Sequence, residues 1–240
     1  MRLTDFKVLT FDCYGTLIDW ETGILKALRP LLRKDLVERS RDEVLASFAR
    51  HESAQEAETP DMIYSALLGQ VHRRLAREWG IGASEADHRA FGGSVGDWPA
   101  FRDSSASLSY LKQFYKLVIL SNVDRTSFSH SRKRLGVAFD AVYTAEDIGS
   151  YKPDLRNFHY MIDALKISGH AERDILHIAQ SLFHDHAPAN AVGLHSAWID
   201  RRSGVPGSGA TPPPPEGVRW DFRFADMAEL VDAHRDELRR

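Results

Sequence analysis

The sequence lacks most of the features that would place a protein at a glance. One cysteine, Cys13, in 240 residues rules out an intrachain disulfide framework. No apolar run approaches the ~20 residues that a membrane helix needs. The opening MRLTDFKVLTF lacks the basic, then apolar, then small pattern of a signal peptide, so a cytoplasmic protein is expected. A net charge of -3 gives no electrostatic reason to expect nucleic acid, whose binding rests on phosphate neutralisation. No internal repeat is visible. What remains is a chain of ordinary globular composition, long enough for one good core and a smaller second unit.

Short runs rich in Val, Ile, Leu and aromatics recur: Lys7–Phe11, Tyr115–Leu120, Ala141–Thr144, Ile175–Ala179 and His195–Ile199. They are apolar on both faces, as strands of a covered parallel sheet are. Helical patterns such as Ser104–Gln113, Pro153–Leu165 and Asp226–Leu238 lie between or after them. Alternation of this kind predicts a doubly wound, Rossmann-like parallel α/β sheet. The hundred or so residues between the first two strands far exceed one crossover. Their pattern is helical throughout, so residues 17–97 are read as an inserted helical cap. Residues 1–16 and 98–240 then form the core. The Gly- and Pro-rich stretch 202–218, with four consecutive prolines, is read as a surface loop with a polyproline II run; a lid or a homodimer contact is also open to it.

Ligands of open α/β sheets bind beyond the carboxyl ends of the strands. The first strand delivers Asp12, Tyr14, Gly15 and Thr16 there; the second delivers Ser121 and Asn122. The third leads to Tyr151-Lys152-Pro153, and the fourth to Gln180-Ser181 and His184-Asp185-His186. A carboxylate such as Asp12 can attack carbon or phosphorus and form a covalent intermediate. Lys152 is its natural counter-ion, aided by backbone N–H groups of the turn. Thr16 can cap the following helix or hydrogen-bond Asp12. Asp185 can position or activate water, or orient Lys152. His184 and His186 can serve as bases near neutral pH or merely hold the turn; a shared metal between such neighbours is not expected. Cys13 reads as a small buried hydrophobe.

FDxYGTLxD, LSN, YKP and an acidic turn after the fourth strand, in this order, resemble the haloacid dehalogenase superfamily. The tyrosine two places after Asp12 resembles its type II L-2-haloacid dehalogenase branch. Within that branch, FDCYGTLIDWETG, SLFHDH and VGL before SAWIDRR are similar to the azetidine-2-carboxylate hydrolases. The resemblance implies a hydrolase with Asp12 as nucleophile, Lys152 and Asp185 as catalytic partners, and a small carboxylate substrate. No membrane partner and no cofactor are expected; Mg²⁺ enters only if the chain is a phosphatase.

Phosphatases of that superfamily carry a second aspartate where Tyr14 stands, because an alkoxide must be protonated as it leaves. Halide needs no proton, and the amine of azetidine-2-carboxylate already carries one. Tyr14 therefore favours displacement at carbon. The dehalogenases carry Ser-Ser-Asn ahead of the acid, where this chain has Gln180-Ser181-Leu182; that difference favours the azetidine-type reading. Tyr14, Thr16, Ser121, Asn122, Gln180, Ser181 and His184 are the expected substrate contacts. Arg50, beside His51 and Glu52, is the expected cationic clamp on the substrate carboxylate. Trp20, Phe48, Tyr64 and Trp98 are open to pocket wall or to packing. Mg²⁺-dependent phosphate-ester hydrolysis and a non-catalytic binding role remain as rivals.

Overall fold

The computed structural model describes residues 1–239. Strand β1 (Val8–Phe11) is followed by four helices, α1 (Trp20–Leu32), α2 (Arg41–Glu58), α3 (Tyr64–Glu78) and α4 (Glu85–Gly92). The chain then alternates: α5 (Ser104–Leu111), β2 (Lys116–Ser121), α6 (Arg125–Leu135), β3 (Ala141–Thr144), the short α7 (Ala145–Ile148), α8 (Leu155–Ile167) and β4 (Ile175–Ala179). After a π-helical turn come α9 (Ala187–Ala191), β5 (His195–Ile199), β6 (Phe222–Phe224) and α10 (Met227–Leu238). All six strands are parallel, in the order β3-β2-β1-β4-β5-β6. This is the doubly wound α/β sheet that the alternation predicts.

Alternate residues of each strand feed opposite faces. Leu9, Phe11, Leu117, Ile119, Leu176 and Ile178 join one apolar cluster. Val8, Val118, Leu120 and Ile175 join a second, with Phe158, Met161, Ile162 and Leu165 of α8. Each such side chain contributes roughly 1.5–3 kcal/mol on burial. On that second face Thr10 and His177 are polar exceptions, and they hydrogen-bond each other at 2.9 Å.

Three details differ from the sequence expectation. The sheet has a sixth strand, β6, too short for its alternation to register and set off by the proline-rich segment. β2 ends on Ser121, which pairs with Thr144 of β3, so Ser121 is strand and not turn. The segment 202–218 has no helix or strand, as expected, but it is fastened. Arg202 Nη1 donates to both carboxylate oxygens of Glu21, at 3.0 and 2.9 Å, and the Ala210 N–H donates to the same carboxylate. Arg202 Nη2 reaches Asp42 at 3.3 Å.

The two connections into the helical insert run side by side. Asp19 N–H donates to Pro99 O and Phe101 N–H to Leu17 O. Gly23 in α1 is required by packing: a Cβ there would lie 2.3 Å from the Trp98 ring. Trp98 in turn meets the Tyr14 ring edge-on, with centroids 5.7 Å apart. The insert thereby fixes a residue of the first motif.

Candidate active site

The site lies where strand order reverses, between β1 and β4, at the carboxyl edge of the sheet. Register explains the convergence. Phe11 is level with Ile119 on one side and Ile178 on the other, so Asp12, Ser121 and Gln180 leave at the same edge. Gly15 makes the turn after Asp12 with φ at +95°, a conformation other residues rarely adopt.

Lys152 Nζ is the hub. It donates to Asp12 Oδ1 at 3.0 Å, Asp185 Oδ1 at 2.7 Å and Leu120 O at 3.0 Å. An ammonium has three protons, and all three are committed. Burial would lower the Lys152 pKa, but the charges of Asp12 and Asp185 raise it above the ordinary lysine value. Burial pushes the Asp12 carboxyl up; Lys152 opposes this, Asp185 adds to it, and the Thr16 hydroxyl opposes it. Thr16 donates to Asp12 Oδ2 at 2.7 Å and accepts the Gln180 N–H at 2.9 Å. For Asp185 burial is outweighed: Lys152 and His177 hold its carboxyl well below the usual range.

His177 is a residue that the sequence reading missed. Fully buried in β4, it sets its Nε2 2.9 Å from Asp185 Oδ1 and its Nδ1 against Thr10. The signal was there: one polar residue in the strand ILHIA, beside one polar residue in VLTF.

Asp12, Tyr14, Ser121, Asn122, Lys152, Ser181, His184 and Asp185 line one small cavity. Its volume of about 30 Å³ leaves room for about two waters, so a substrate here is small or the cap must open. Asn122 clamps Lys152 through the backbone, accepting its N–H at 2.7 Å and donating to its carbonyl at 3.0 Å. Tyr14 sends its hydroxyl to Ser131 at 2.8 Å, and burial pushes its pKa well above 10. His184 Nδ1 lies 3.2 Å from Ser181 Oγ, and burial drives its pKa down to about 4. His186 bonds Ser196 and Ala179 O, beneath the site, and so holds the turn. Cys13 is buried, and burial raises its thiol pKa well above 9. Trp20 and Tyr64 line the cavity; Phe48 packs on Trp20, and Trp98 on Tyr14.

Three expected contacts do not line the cavity: Thr16 is fully buried against Asp12, and Arg50 and Gln180 lie elsewhere. Arg50 points out of the cap, its guanidinium spanning both Glu78 oxygens at 2.7 and 2.8 Å, with its side chain 58% exposed. Residue 50 falls on the outer face of α2, opposite the stripe that packs inward. The Gln180 side chain accepts from Thr211 of the proline-rich segment and lines a separate groove. It covers Gly15 from outside, its Oε1 3.0 Å from where a Cβ on Gly15 would stand. In place of a cap arginine the cavity holds two further carboxylates, Glu52 and Glu56.

Residues 6–178 match the haloacid dehalogenase-like hydrolase family model. The chain belongs to the haloacid dehalogenase-like hydrolases. No curated protein matches this family member. Among solved structures it is similar to an L-2-haloacid dehalogenase at 22% identity, over 98% of this chain and 100% of that one, with TM-score 0.75. The L-2-haloacid dehalogenase from Xanthobacter autotrophicus with chloropropionic acid covalently bound is 18% identical, over 96% and 98% of the chains, with TM-score 0.76. The putative HAD-hydrolase YfnB from Bacillus subtilis, bound to magnesium, is 18% identical over 98% and 100%, with TM-score 0.75. At such identities the likeness concerns the fold. No helix among the described residues is long and apolar enough to cross a membrane.

Proposed function

We propose that this hydrolase displaces a leaving group from an sp³ carbon of a small 2-substituted carboxylate, with Asp12 as the nucleophile, and that L-azetidine-2-carboxylate is its preferred substrate. The observation that carries the reading is Tyr14. Its hydroxyl is tied to Ser131 and its proton is held tightly, so it offers no acid to a departing alkoxide. A leaving group that needs no proton from the protein suits such a site.

In the first step an Asp12 oxygen bonds to carbon and the C–N bond of the ring breaks. The electron pair goes to nitrogen, which was protonated and so departs as a neutral amine. In the second step water attacks the carbonyl carbon of the Asp12 ester. The hydroxy acid leaves, the Asp12 carboxylate returns, and the amine takes up the released proton. One water is consumed. Lys152 balances Asp12 in both carboxylate states. Asp185 keeps one oxygen, Oδ2, buried and without a partner among the described residues, and that atom can hold the water. Asp12 and Asp185 are also the carboxylates that could hold a divalent ion, but Lys152 already bridges their Oδ1 atoms. Mg²⁺ belongs to the phosphatase reading, which Tyr14 disfavours. Halide displacement from an L-2-haloacid is the second reading, favoured by the fold shared with the dehalogenases.

A single turnover in H₂¹⁸O tests the nucleophile. The reading expects ¹⁸O in the Asp12 carboxyl and unlabelled oxygen in the product, and no turnover by Asp12→Asn. Label in the first-formed product would mean that water attacks carbon directly.

A further inference from the structure

The two walls of the cavity carry unequal sets of ionisable groups. From the core come Asp12, Asp185 and one cation, Lys152; from α2 in the cap come Glu52 and Glu56. These two continue the buried face of the helix, four residues apart, below Val44, Leu45 and Phe48. Both are almost fully enclosed, at 3% and 7% exposure. Tyr64 donates to Glu52 Oε1 at 2.5 Å and Asn122 to Glu56 Oε1 at 3.1 Å, both neutral donors. Among the described residues lining the cavity, Lys152 is the one lysine or arginine, and its three protons are used. Four carboxyl groups therefore share one committed ammonium, which leaves no free cation in the cavity to hold a bare anion.

The cavity also holds polar atoms that wait for partners. Ser121 Oγ and His184 Nε2 are buried and make no hydrogen bond among the described residues. Ser121 is 2% exposed and His184 8%. Ser181 Oγ accepts the His184 backbone N–H and can give its own proton to Nδ1; in that tautomer Nε2 carries the ring proton. That Nε2 lies 3.9 Å from Glu56 Oε2, too far for a hydrogen bond. The cavity thus offers two neutral donors, from Ser121 and His184, beside two acidic acceptors.

We propose that Glu52 and Glu56 form an ammonium subsite, and that the substrate is an amine-bearing carboxylate taken as a zwitterion, not an amine-free 2-haloacid. The amine is held by the cap glutamates. The substrate carboxylate takes the Ser121 hydroxyl and His184 Nε2–H in place of an arginine. Burial suits this role, since it holds the Glu52 carboxyl up to about 8, and burial together with the Glu52 charge holds Glu56 well above its ordinary value. Without ligand the pair keeps protons and stays stable; an arriving ammonium replaces them. The inference rests on the proposed Asp12 chemistry only for where the substrate sits.

Binding of non-reacting four-carbon rings to the wild-type protein tests it apart from turnover. The probes are cyclobutylamine, cyclobutanecarboxylate and the zwitterion 1-aminocyclobutane-1-carboxylate, followed by calorimetry at neutral pH. The zwitterion should bind best, and the amine at least tenfold tighter than the carboxylate. Glu52→Gln and Glu56→Gln keep the shape and the Tyr64 and Asn122 contacts. Each should cost the amine tenfold or more and leave the carboxylate unchanged or tighter. A carboxylate that binds as well as the amine, amine binding untouched by both substitutions, or no binding of any probe would overturn the proposal. The wild-type comparison alone decides if a variant fails to fold. Amine binding without ¹⁸O in Asp12 would leave the subsite standing and remove the mechanism; the reverse result would do the opposite.

Discussion

The core wall and the cap wall of the cavity treat buried carboxylates in opposite ways. On the core side Asp12 and Asp185 share Lys152, and the hydrogen-bonding groups around it are almost all satisfied. On the cap side Glu52 and Glu56 have neutral donors and no cation. A buried carboxylate with a fixed counter-ion stays charged and ready to react; one without a counter-ion keeps its proton until a cationic ligand arrives. On the proposed reading the contrast divides the labour: the core wall would supply the reaction and the cap wall would choose what undergoes it.

The comparison breaks most violently if the core wall loses its cation. Lys152→Met should lower kcat/KM by about three orders of magnitude, about 4 kcal/mol of transition-state stabilisation, and should also reduce thermal stability, because two buried carboxylates are left uncompensated. Steady-state kinetics and calorimetric melting check both parts. The intact wall makes its own pH prediction. Burial raises the Asp12 carboxyl and attack needs the ionised form, so activity should climb with pH along an acid limb lying above the ordinary aspartate value of about 3.9. A smaller break is His177→Asn, which removes a support from Asp185 without touching the cavity. A fall in kcat of roughly tenfold with KM unchanged is expected of a positioning residue. A rise in KM with kcat unchanged would assign it to binding.

The core wall was legible in the sequence for a physical reason. Strand ends place consecutive residues at one edge of a parallel sheet, so FDCYGT, LSN, YKP and the HDH turn could be assigned to one place without coordinates. Neither α2 nor the side-chain directions at Gln180 and Arg50 could be. Arg50 and Glu52 are two residues apart, on opposite sides of a helix, and a cationic clamp was expected from the wrong side. The periodicity held the warning: Val44, Leu45 and Phe48 define a stripe that runs on into Glu52, Gln55 and Glu56, charge where the period demands burial. Polar residues on an otherwise apolar stripe, like His177 on its strand, were the unread signals. β6 was hidden by its three-residue length, and the fastening of Arg202 to Glu21 by a separation no local pattern spans.

The cap wall can be sharpened through stability. A carboxyl whose folded pKa is raised loses stability as pH rises between its ordinary and its raised value. For Glu52 that window runs from 4.5 to about 8, and Glu56 acts in the same direction. His72, His184 and His186, all lowered to about 4 by burial, act the other way, adding stability as pH rises to 6.5. The two effects oppose each other below 6.5; above it the glutamates act without that opposition, in the same direction as the raised Asp12. The ligand-free protein should therefore lose a few degrees of Tm between pH 6.5 and 8, and Glu52→Gln should flatten that loss. The groups facing the pair, namely Tyr64, Asn122, His184 and Lys152, do not titrate between those limits: the histidine is already neutral, and tyrosine and lysine remain protonated. A Tm that is constant or rising across the same range would mean that the pair is already ionised in the free protein.

The smallest effect is the one that separates the two sides of α2. Arg50 sits two residues from Glu52, with its guanidinium against Glu78 on the outer surface. An exposed ion pair of this kind contributes ~0–1 kcal/mol. Arg50→Ala should shift Tm by a degree or two and leave KM for a zwitterionic substrate within about twofold, whereas Glu52→Gln on the inner face should raise it tenfold or more. If Arg50→Ala instead raised KM strongly, the guanidinium would have to leave Glu78 and swing to the cavity when substrate binds. The substrate carboxylate would then have a cationic partner after all, and the lack of a cation on the cap wall would describe the empty site only.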